Sequence, residues 1–413
     1  MERRPLRCSI LAVGDFPEGS AGSQRLYLLA RILREGLGEA SLWILHPAAR
    51  APIPENHSVA GAWSGIPFVY LNGATVRPVR VLPAILDTLR GIYRSTRLIA
   101  RRGPERPDIL VVYTPTFLKF IIPMMIARLA HVPVIVEACE VFSASTDIAG
   151  AGFLRRVGNS GQSFIEKLTP TMAAGLLVIS RRIRQYYEQL GLPEDRAYLL
   201  PVLIDIERYE QGGETGVTDL VGVKFVLNSG SFNEKDGLVH LVRAMARIHQ
   251  EHPDVKLVFT GTASQSTQDR ILAIAGSGGK DWIVFTGLLT RDQLIWCYKN
   301  AAGLLCCRSN SDYANYGFPT KLAEYLASGR PVVATSVGDV KDYLTDEVTA
   351  FLADPEDIES IAMAIRRLLG DPVHAAEVGR RGTEIARQYF DYRNHVAGVS
   401  TFIRCRVGLP GSG

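Results

Sequence analysis

The chain has 413 residues, of which 47% are hydrophobic and 21% charged. That length leads one to expect two domains, and the composition excludes a disordered chain. A formal charge of +4 is too small to argue for nucleic acid, and no nucleic-acid partner is expected.

Strand-like apolar runs alternate with helix-like stretches from end to end. Cys8–Val13 reads as a first strand, its apolar run from Ser9 being too short for a signal peptide. Ser23–Glu35 carries Leu26, Leu29, Ala30 and Leu33 on one helical face, and Ala40–Leu45 is again a strand. The stretch 77–106 is basic, with Arg77, Arg80, Arg90, Arg94, Arg97, Arg101, Arg102 and Arg106 against Asp87 and Glu105. Leu86, Leu89, Ile92, Tyr93 and Leu98 recur there at near-helical spacing. Such a helix fits peripheral contact with an anionic bilayer, which would suit a polyprenyl-linked acceptor, and equally an ordinary solvated face.

Ile109–Tyr113 and Val134–Glu137 are buried strands with a helix, Phe117–Ala130, between them. Lys119, Pro123, Arg128 and Pro133 interrupt this region, so it is not a membrane span. Gly175–Ser180 is a short strand and Arg181–Leu190 an amphipathic helix, which completes a first domain over 1–206. Residues 207–222 lose the alternation, and the polar, Gly-rich Gln211-Gly-Gly-Glu-Thr-Gly-Val-Thr reads as a linker.

A second domain, 223–388, resumes the pattern. Phe225–Ser229, Lys256–Gly261, Trp282–Phe285, Gly303–Cys307 and Pro331–Thr335 are strands. Leu238–His249, Thr290–Asn300, Lys321–Ser328, Ile358–Leu369 and His374–Gln388 are helices. A last helix within 389–407 has Val396, Val399, Phe402 and Ile403 at helical spacing, and 408–413 is a loose tail. The fold class is therefore α/β, two doubly wound Rossmann-like domains with parallel sheets covered on both faces. Ligands are expected at the carboxyl ends of the strands, in the cleft between the domains.

The most informative stretch is Asn315-Tyr-Gly-Phe-Pro-Thr-Lys-Leu-Ala-Glu-Tyr-Leu-Ala-Ser-Gly-Arg-Pro-Val-Val-Ala. It comes after a buried strand and opens a helix at about Pro319. Free N–H groups at Thr320 and Lys321 suit a diphosphate, and the Lys321 ammonium adds positive charge. One turn on, Glu324 can accept hydrogen bonds from two ribose hydroxyls. The plainer readings make Lys321 a solvated lysine and Glu324 a helix-surface acid.

These residues resemble the retaining glycosyltransferases of the GT-B fold, and specifically glycosyltransferase family 4. That family carries two Glu separated by seven residues, then a small-residue helix, Gly-x-Pro-Val-Val and a later Gly. Glu324 matches the second Glu, the ribose ligand; Gly329, Pro331, Val332 and Val333 match the Gly-x-Pro-Val-Val, and Gly338 the later Gly. Gly230-Ser-Phe-Asn-Glu-Lys-Asp-Gly237 is similar to the family's loop after the first strand of the C-terminal domain, and Val258-Phe-Thr-Gly261 to its next strand and turn. Val284-Phe-Thr-Gly-Leu-Leu289 is similar to the segment whose backbone reads the base. The resemblance implies a donor site including Gly230, Ser231, Gly261, Phe285, Gly287, Leu289, Pro319, Thr320, Lys321 and Glu324.

Three positions depart from the family. Its first Glu, which contacts the donor sugar, falls at Tyr316; its phosphate-binding Arg falls at Ser231; and the partner Lys falls at Asp236, with Lys235 one position early. Stabilising a departing diphosphate needs positive charge or aligned dipoles. Here that role can pass to Lys235, Lys321, the helix N-terminus and Arg308, the last being equally readable as a structural ion-pair former.

In the first domain, Gly19-Ser-Ala-Gly-Ser-Gln-Arg25 resembles the family's flexible loop over donor and acceptor, implicating Gly19, Gly22 and Arg25, though a tight turn reads as well. Glu137 and Glu140 come after a buried strand, and either can orient the acceptor hydroxyl or take its proton. An exposed or capping carboxylate is the plainer alternative for each.

The sequence has no D-x-D and no His/Asp cluster, so no metal and no cofactor are expected; the nucleotide-sugar, with uridine favoured, is a substrate. Cys8, Cys139, Cys297, Cys306, Cys307 and Cys405 lack C-x-x-C spacing and suit a reduced, cytoplasmic protein. The resemblance implies front-face transfer with retention, from the nucleotide-sugar to a saccharide or lipid-linked saccharide in polysaccharide or glycoconjugate synthesis. A non-catalytic nucleotide-sugar-binding subunit is the main alternative, suggested by Tyr316, Ser231 and Asp236. A nucleotide-sugar epimerase ranks last for want of cleft histidines.

Overall fold

A computed structural model describes residues 5–103, 105–144, 153–230, 232–276 and 278–408, except for the side chains of 117, 153–160 and 234. The chain divides into two compact units, Met1–Ile204 with Tyr392–Gly413, and Asp205–Asp391.

The first unit runs β1 (Leu6–Ala12), α1 (Ala21–Leu37), β2 (Gly38–Ile44), β3 (Ala60–Trp63), β4 (Ile66–Tyr70), α2 (Val81–Ala100), β5 (Ile109–Tyr113) and α3 (Phe117–Leu129). It continues with β6 (Val134–Ala138), α4 (Phe153–Met172), β7 (Gly175–Val178), α5 (Arg181–Gln189) and β8 (Ala197–Leu199). The strands form one sheet ordered β3-β4-β2-β1-β5-β6-β7-β8. Every pairing in it is parallel except the β3–β4 hairpin. Two-sided burial explains the near-continuous apolar runs of β1, β5 and β6.

The hairpin was not expected. All four β3 residues are exposed, so no alternating pattern marks the strand. Its turn uses Ser64 and Gly65, both at positive φ (46° and 79°), as a two-residue hairpin requires.

The second unit runs α6 (Ile206–Gln211), β9 (Phe225–Ser229), α7 (Leu238–Glu251), β10 (Lys256–Thr260), α8 (Gln265–Ala275), α9 (Gly279–Trp282), β11 (Ile283–Gly287), α10 (Arg291–Asn300) and β12 (Gly303–Cys306). Then come α11 (Asp312–Tyr316), α12 (Thr320–Ala327), β13 (Val332–Thr335), α13 (Val340–Tyr343), β14 (Phe351–Ala353), α14 (Ile358–Gly370) and α15 (Pro372–Ile385). Its sheet is fully parallel, in the order β11-β10-β9-β12-β13-β14.

The linker reading of 207–222 needs correction. The segment holds most of α6, and Asp292 accepts from the N–H groups of Gly213 and Thr215, both at 2.7 Å. These bonds tie the glycine-rich stretch to α10. Of the expected tail, 409–413 lies outside the described residues.

The last helix, α16 (Val396–Arg406), belongs to the first unit and packs on α1. Close approach is possible because Gly36 lacks a side chain; a Cβ there would fall 1.9 Å from Ser400 Oγ. Phe402 meets the Tyr198 ring at 5.6 Å.

Candidate active site

The second sheet winds outward in both directions from β9 and β12, which are adjacent. Their carboxyl ends form the switch point where open α/β sheets bind ligands. Three glycine turns gather beside it. The Gly230 N–H, after β9, donates to Thr260 O at 3.1 Å, and the Gly261 N–H, after β10, donates to Gly287 O at 2.9 Å. A Cβ on Gly261 would lie 2.1 Å from Gly230 O, and its φ is +122°, so only glycine fits. Phe285 stacks on Phe259 at 5.6 Å, with Phe232 closing the cluster at 6.5 Å from Phe285. Leu289 comes next, half-buried, two residues before α10. Ser231 lies outside the described residues.

Across the crevice α12 begins at Thr320 with Pro319 at its N-cap, one position earlier than the first-turn place expected of this proline. The first-turn N–H groups, Thr320 and Lys321, are ones a helix leaves without an internal partner. Glu324 sits one turn on and is nearly buried. Its Oε1 pairs with Arg291 Nη2 at 3.1 Å, and its Oε2 accepts from the Tyr298 hydroxyl at 3.3 Å. Arg291 also donates to the Tyr209 hydroxyl at 2.7 Å. Behind Glu324, the Ser229 N–H donates to the Tyr325 hydroxyl at 2.7 Å, and Ser229 Oγ meets the Tyr298 and Tyr325 hydroxyls, each at 3.0 Å. Burial raises both tyrosines far above the usual phenol range, so they stay neutral donors. Neither Arg291 nor the tyrosines were anticipated, because their partners lie on other elements and no sequence spacing marks them.

Lys321 is not a free phosphate-facing cation. Its ammonium donates to Asp236 Oδ1 and Ser229 O, both at 2.9 Å. Burial opposes charge on Asp236, but the charge and hydrogen bond of Lys321, helped by the Asn233 N–H, more than offset it and hold the carboxyl below the usual range. The departure at Asp236 is thus matched by Lys321, which restores local neutrality.

Arg308 is likewise buried instead of reaching outward. Its Nη1 donates to Gly317 O at 3.2 Å and its backbone N–H to Thr335 Oγ1 at 2.7 Å. The Lys235 ammonium lies 4.7 Å from the Tyr313 ring centroid. Tyr316 ends α11, half-buried. The loop holding it is pinned at Asn315, whose Oδ1 accepts from the Gly338 N–H at 3.1 Å.

In the first unit the expected loop is shorter than supposed. Gly22 lies within the first turn of α1, and only Gly19, at φ +146°, precedes the helix cap. Arg25 is a buried helix residue, not a loop residue. Its Nε donates to Glu137 Oε1 at 2.7 Å, and its Nη1 and Nη2 donate to Pro201 O at 2.5 Å and Leu200 O at 2.9 Å. Glu137 lies inside β6, fully buried, so it is not an open base for an acceptor. Glu140 emerges two residues past β6 and is half-buried.

Two parallel α/β units with a motif-bearing crevice in the second define the GT-B class of architecture. Residues 220–385 match the family model of glycosyl transferases group 1, and 17–202 match that of the glycosyl transferase 4-like domain. Each of the two units thus carries a glycosyltransferase family domain, and together the matches span most of the chain. An uncharacterized glycosyltransferase of Methanocaldococcus jannaschii is 26% identical over 238 residues, covering 55% of this chain and 59% of that one. A 2-deoxystreptamine glucosyltransferase of Streptomyces kanamyceticus is 26% identical, with 60% of each covered. The chain thus spans little more than half the length of these relatives. In fold it is similar to Anabaena HepE in complex with UDP and glucose, at TM-score 0.71 and 17% identity, covering 97% of this chain and 100% of that one. A sucrose-phosphate synthase of Thermosynechococcus elongatus gives 0.72 at 16% identity, covering 97% and 98%.

Proposed function

We propose that this protein transfers a sugar from a nucleoside diphosphate sugar to a hydroxyl of a saccharide or lipid-linked saccharide, with retention at the anomeric carbon, in polysaccharide or glycoconjugate assembly. Glu324 carries the reading: a carboxylate fixed by Arg291 and Tyr298, one turn into α12 and next to the glycine turns of the switch point. Its side chain keeps 11% exposure, an edge from which it can accept ribose hydroxyls. A uridine base is favoured because HepE, of the same fold, was solved with UDP-glucose. The base would lie along Phe285 to Leu289. No cofactor enters this reading, and six free thiols suit a cytoplasmic location.

In this reaction the bond from the anomeric carbon to the diphosphate oxygen breaks, and the acceptor oxygen bonds on the same face. The leaving diphosphate takes the acceptor proton. With Lys321 neutralised by Asp236, the first-turn N–H groups of α12 and its dipole carry more of the developing charge, with Lys235 as the nearby cation. Tyr316, in place of a carboxylate, would meet the sugar with a ring and hydroxyl. Glu140 is the remaining candidate to orient the acceptor, since Glu137 is sealed by Arg25.

A thermal-shift panel with UDP, GDP, ADP, dTDP and CMP on the wild type and Glu324→Ala tests this. A ligand that binds only the folded state raises Tm by mass action. One nucleotide, UDP above the others, should stabilise the wild type and lose that effect in the variant. No shift at millimolar concentration would reject the donor site. Turnover of the matching nucleotide-sugar then separates an enzyme from a binding subunit.

A further inference from the structure

Helix α2 is amphipathic the wrong way round for a soluble domain. The residues it buries are Asp87, Gly91, Ile92, Ser95 and Ile99. The residues it exposes include Leu82, Ile85, Leu86, Leu89 and Tyr93, each between 49% and 67% accessible. At about 100° per residue these five form one stripe. Arg90, Arg94, Arg97 and Arg101, all exposed, form a ridge along one flank of it.

The neighbouring helix repeats the arrangement. Leu118, Ile122, Met125 and Leu129 on α3 stand one helical turn apart and are 48% to 74% exposed. The two helices pack together. The crossovers β4–α2–β5 and β5–α3–β6 both advance along the sheet in the same direction, so right-handed connections put both helices on one face. Their outward stripes therefore join into one apolar surface, larger than scattered surface leucines would make. Gly91 lets α2 lie flat on the domain: a Cβ there would fall 2.2 Å from Leu45 O. Lys119, beside Leu118, has its ammonium lowered to about 8, chiefly by burial and further by the charge of Arg77.

We propose that the α2–α3 face docks the protein on an anionic lipid bilayer, with the apolar stripes in the acyl boundary and the arginine ridge on lipid phosphates. The ridge selects this occupant, since a bare apolar stripe would suit any greasy partner whereas a one-sided row of guanidinium groups complements a negatively charged surface. The proposed contact is a peripheral one, and among the described residues no helix is long and apolar enough to cross a membrane. The inference extends the proposed transfer to a lipid-borne acceptor and rests on that reading only for the acceptor.

Flotation of the full chain tests it, using vesicles of phosphatidylcholine mixed with phosphatidylglycerol, and of phosphatidylcholine alone. The wild type should float with the mixed vesicles at low salt, and much less with the neutral ones or at high salt. Leu86→Glu with Leu89→Glu should weaken binding by about tenfold or more. Arg90→Gln with Arg97→Gln and Arg101→Gln should remove the preference for the anionic lipid. All five positions are exposed, so the variants should keep the wild-type Tm. The proposal is overturned if the wild type stays unbound with mixed vesicles at low salt, or if it is a dimer that the leucine variant makes monomeric. A nucleotide thermal shift on the same preparations keeps the two readings apart. A shift without flotation rejects only the bilayer surface, and flotation without a shift rejects only the donor site.

Discussion

Arg291, the first residue of α10, holds the Glu324 carboxylate of α12 at 3.1 Å while donating to the Tyr209 hydroxyl of α6 at 2.7 Å. One guanidinium thus couples three helices of the second unit. It fixes the carboxylate to which the proposed site assigns the ribose and so holds that acid as a rigid acceptor.

Arg291→Ala should therefore weaken nucleoside diphosphate binding by about tenfold, or ~1.4 kcal/mol, although Arg291 itself need not touch the ligand. Leaving Glu324 and Tyr209 without their donor should also cost stability on the order of 2 kcal/mol. Arg291→Lys should recover part of the charge but not the two-armed geometry. Titration calorimetry with UDP is the check. Tighter binding in Arg291→Ala would mean that the ion pair competes with the ligand instead of preparing for it.

The buried Lys321–Asp236 pair makes stability fall in acid. Asp236 has a folded-state pKa below its ordinary value. Its contribution is complete above the unfolded value, near ~3.9, and disappears as pH falls through the folded one. Asp236→Asn should lower stability at neutral pH by on the order of 3 kcal/mol, since it strands the Lys321 ammonium. The gap to wild type should narrow as pH drops below about 4. Chemical denaturation between pH 7 and pH 3 would reveal this, and a constant gap would assign the stabilisation to packing.

Much of the architecture is legible because buried parallel strands must be apolar throughout, as in Val111–Val112 and Ile135–Val136. The donor segment is legible for a different reason: Pro319, Glu324 and Gly329 each meet a local backbone or charge requirement. What escaped depends on tertiary partners. Nothing near Glu324 in the chain announces Arg291, and nothing near Glu137 announces Arg25. Strand β3 escaped because its exposure removes the apolar signal. The burial of Arg308 and the pairing of Lys321 escaped because a basic residue beside an anion-binding loop looks the same whether it faces ligand or carbonyl oxygen.

Thiol chemistry offers an independent test of burial. All six cysteines are free, and only Cys405 is exposed. Burial pushes Cys8, Cys139 and Cys297 up to about 12, so their thiolate fractions at neutral pH are negligible. Ellman titration of the native protein should show one fast equivalent, removed by Cys405→Ser, and the other five only after denaturation. A second fast thiol would locate a unit that opens readily.

The Arg25–Glu137 pair lets a structural role be separated from a chemical one. Burial raises the Glu137 carboxyl, and Arg25 pulls it back part of the way by charge and hydrogen bond. Glu137 Oε2 is buried without a partner, so the carboxylate depends on a single guanidinium. Arg25→Met alone should cost about 3–5 kcal/mol by stranding that carboxylate. Arg25→Met with Glu137→Leu should be more stable than Arg25→Met alone, because the uncompensated charge is gone, although Leu200 O and Pro201 O still lose their donor. Denaturant unfolding of the four proteins in this cycle gives the coupling. If Glu137 acts only through packing, Glu137→Gln should lose stability while keeping kcat within about tenfold of wild type. A loss of roughly a thousandfold in kcat with little change in stability would instead make Glu137 part of the chemistry, and would require the buried Arg25–Glu137 pair to separate during turnover.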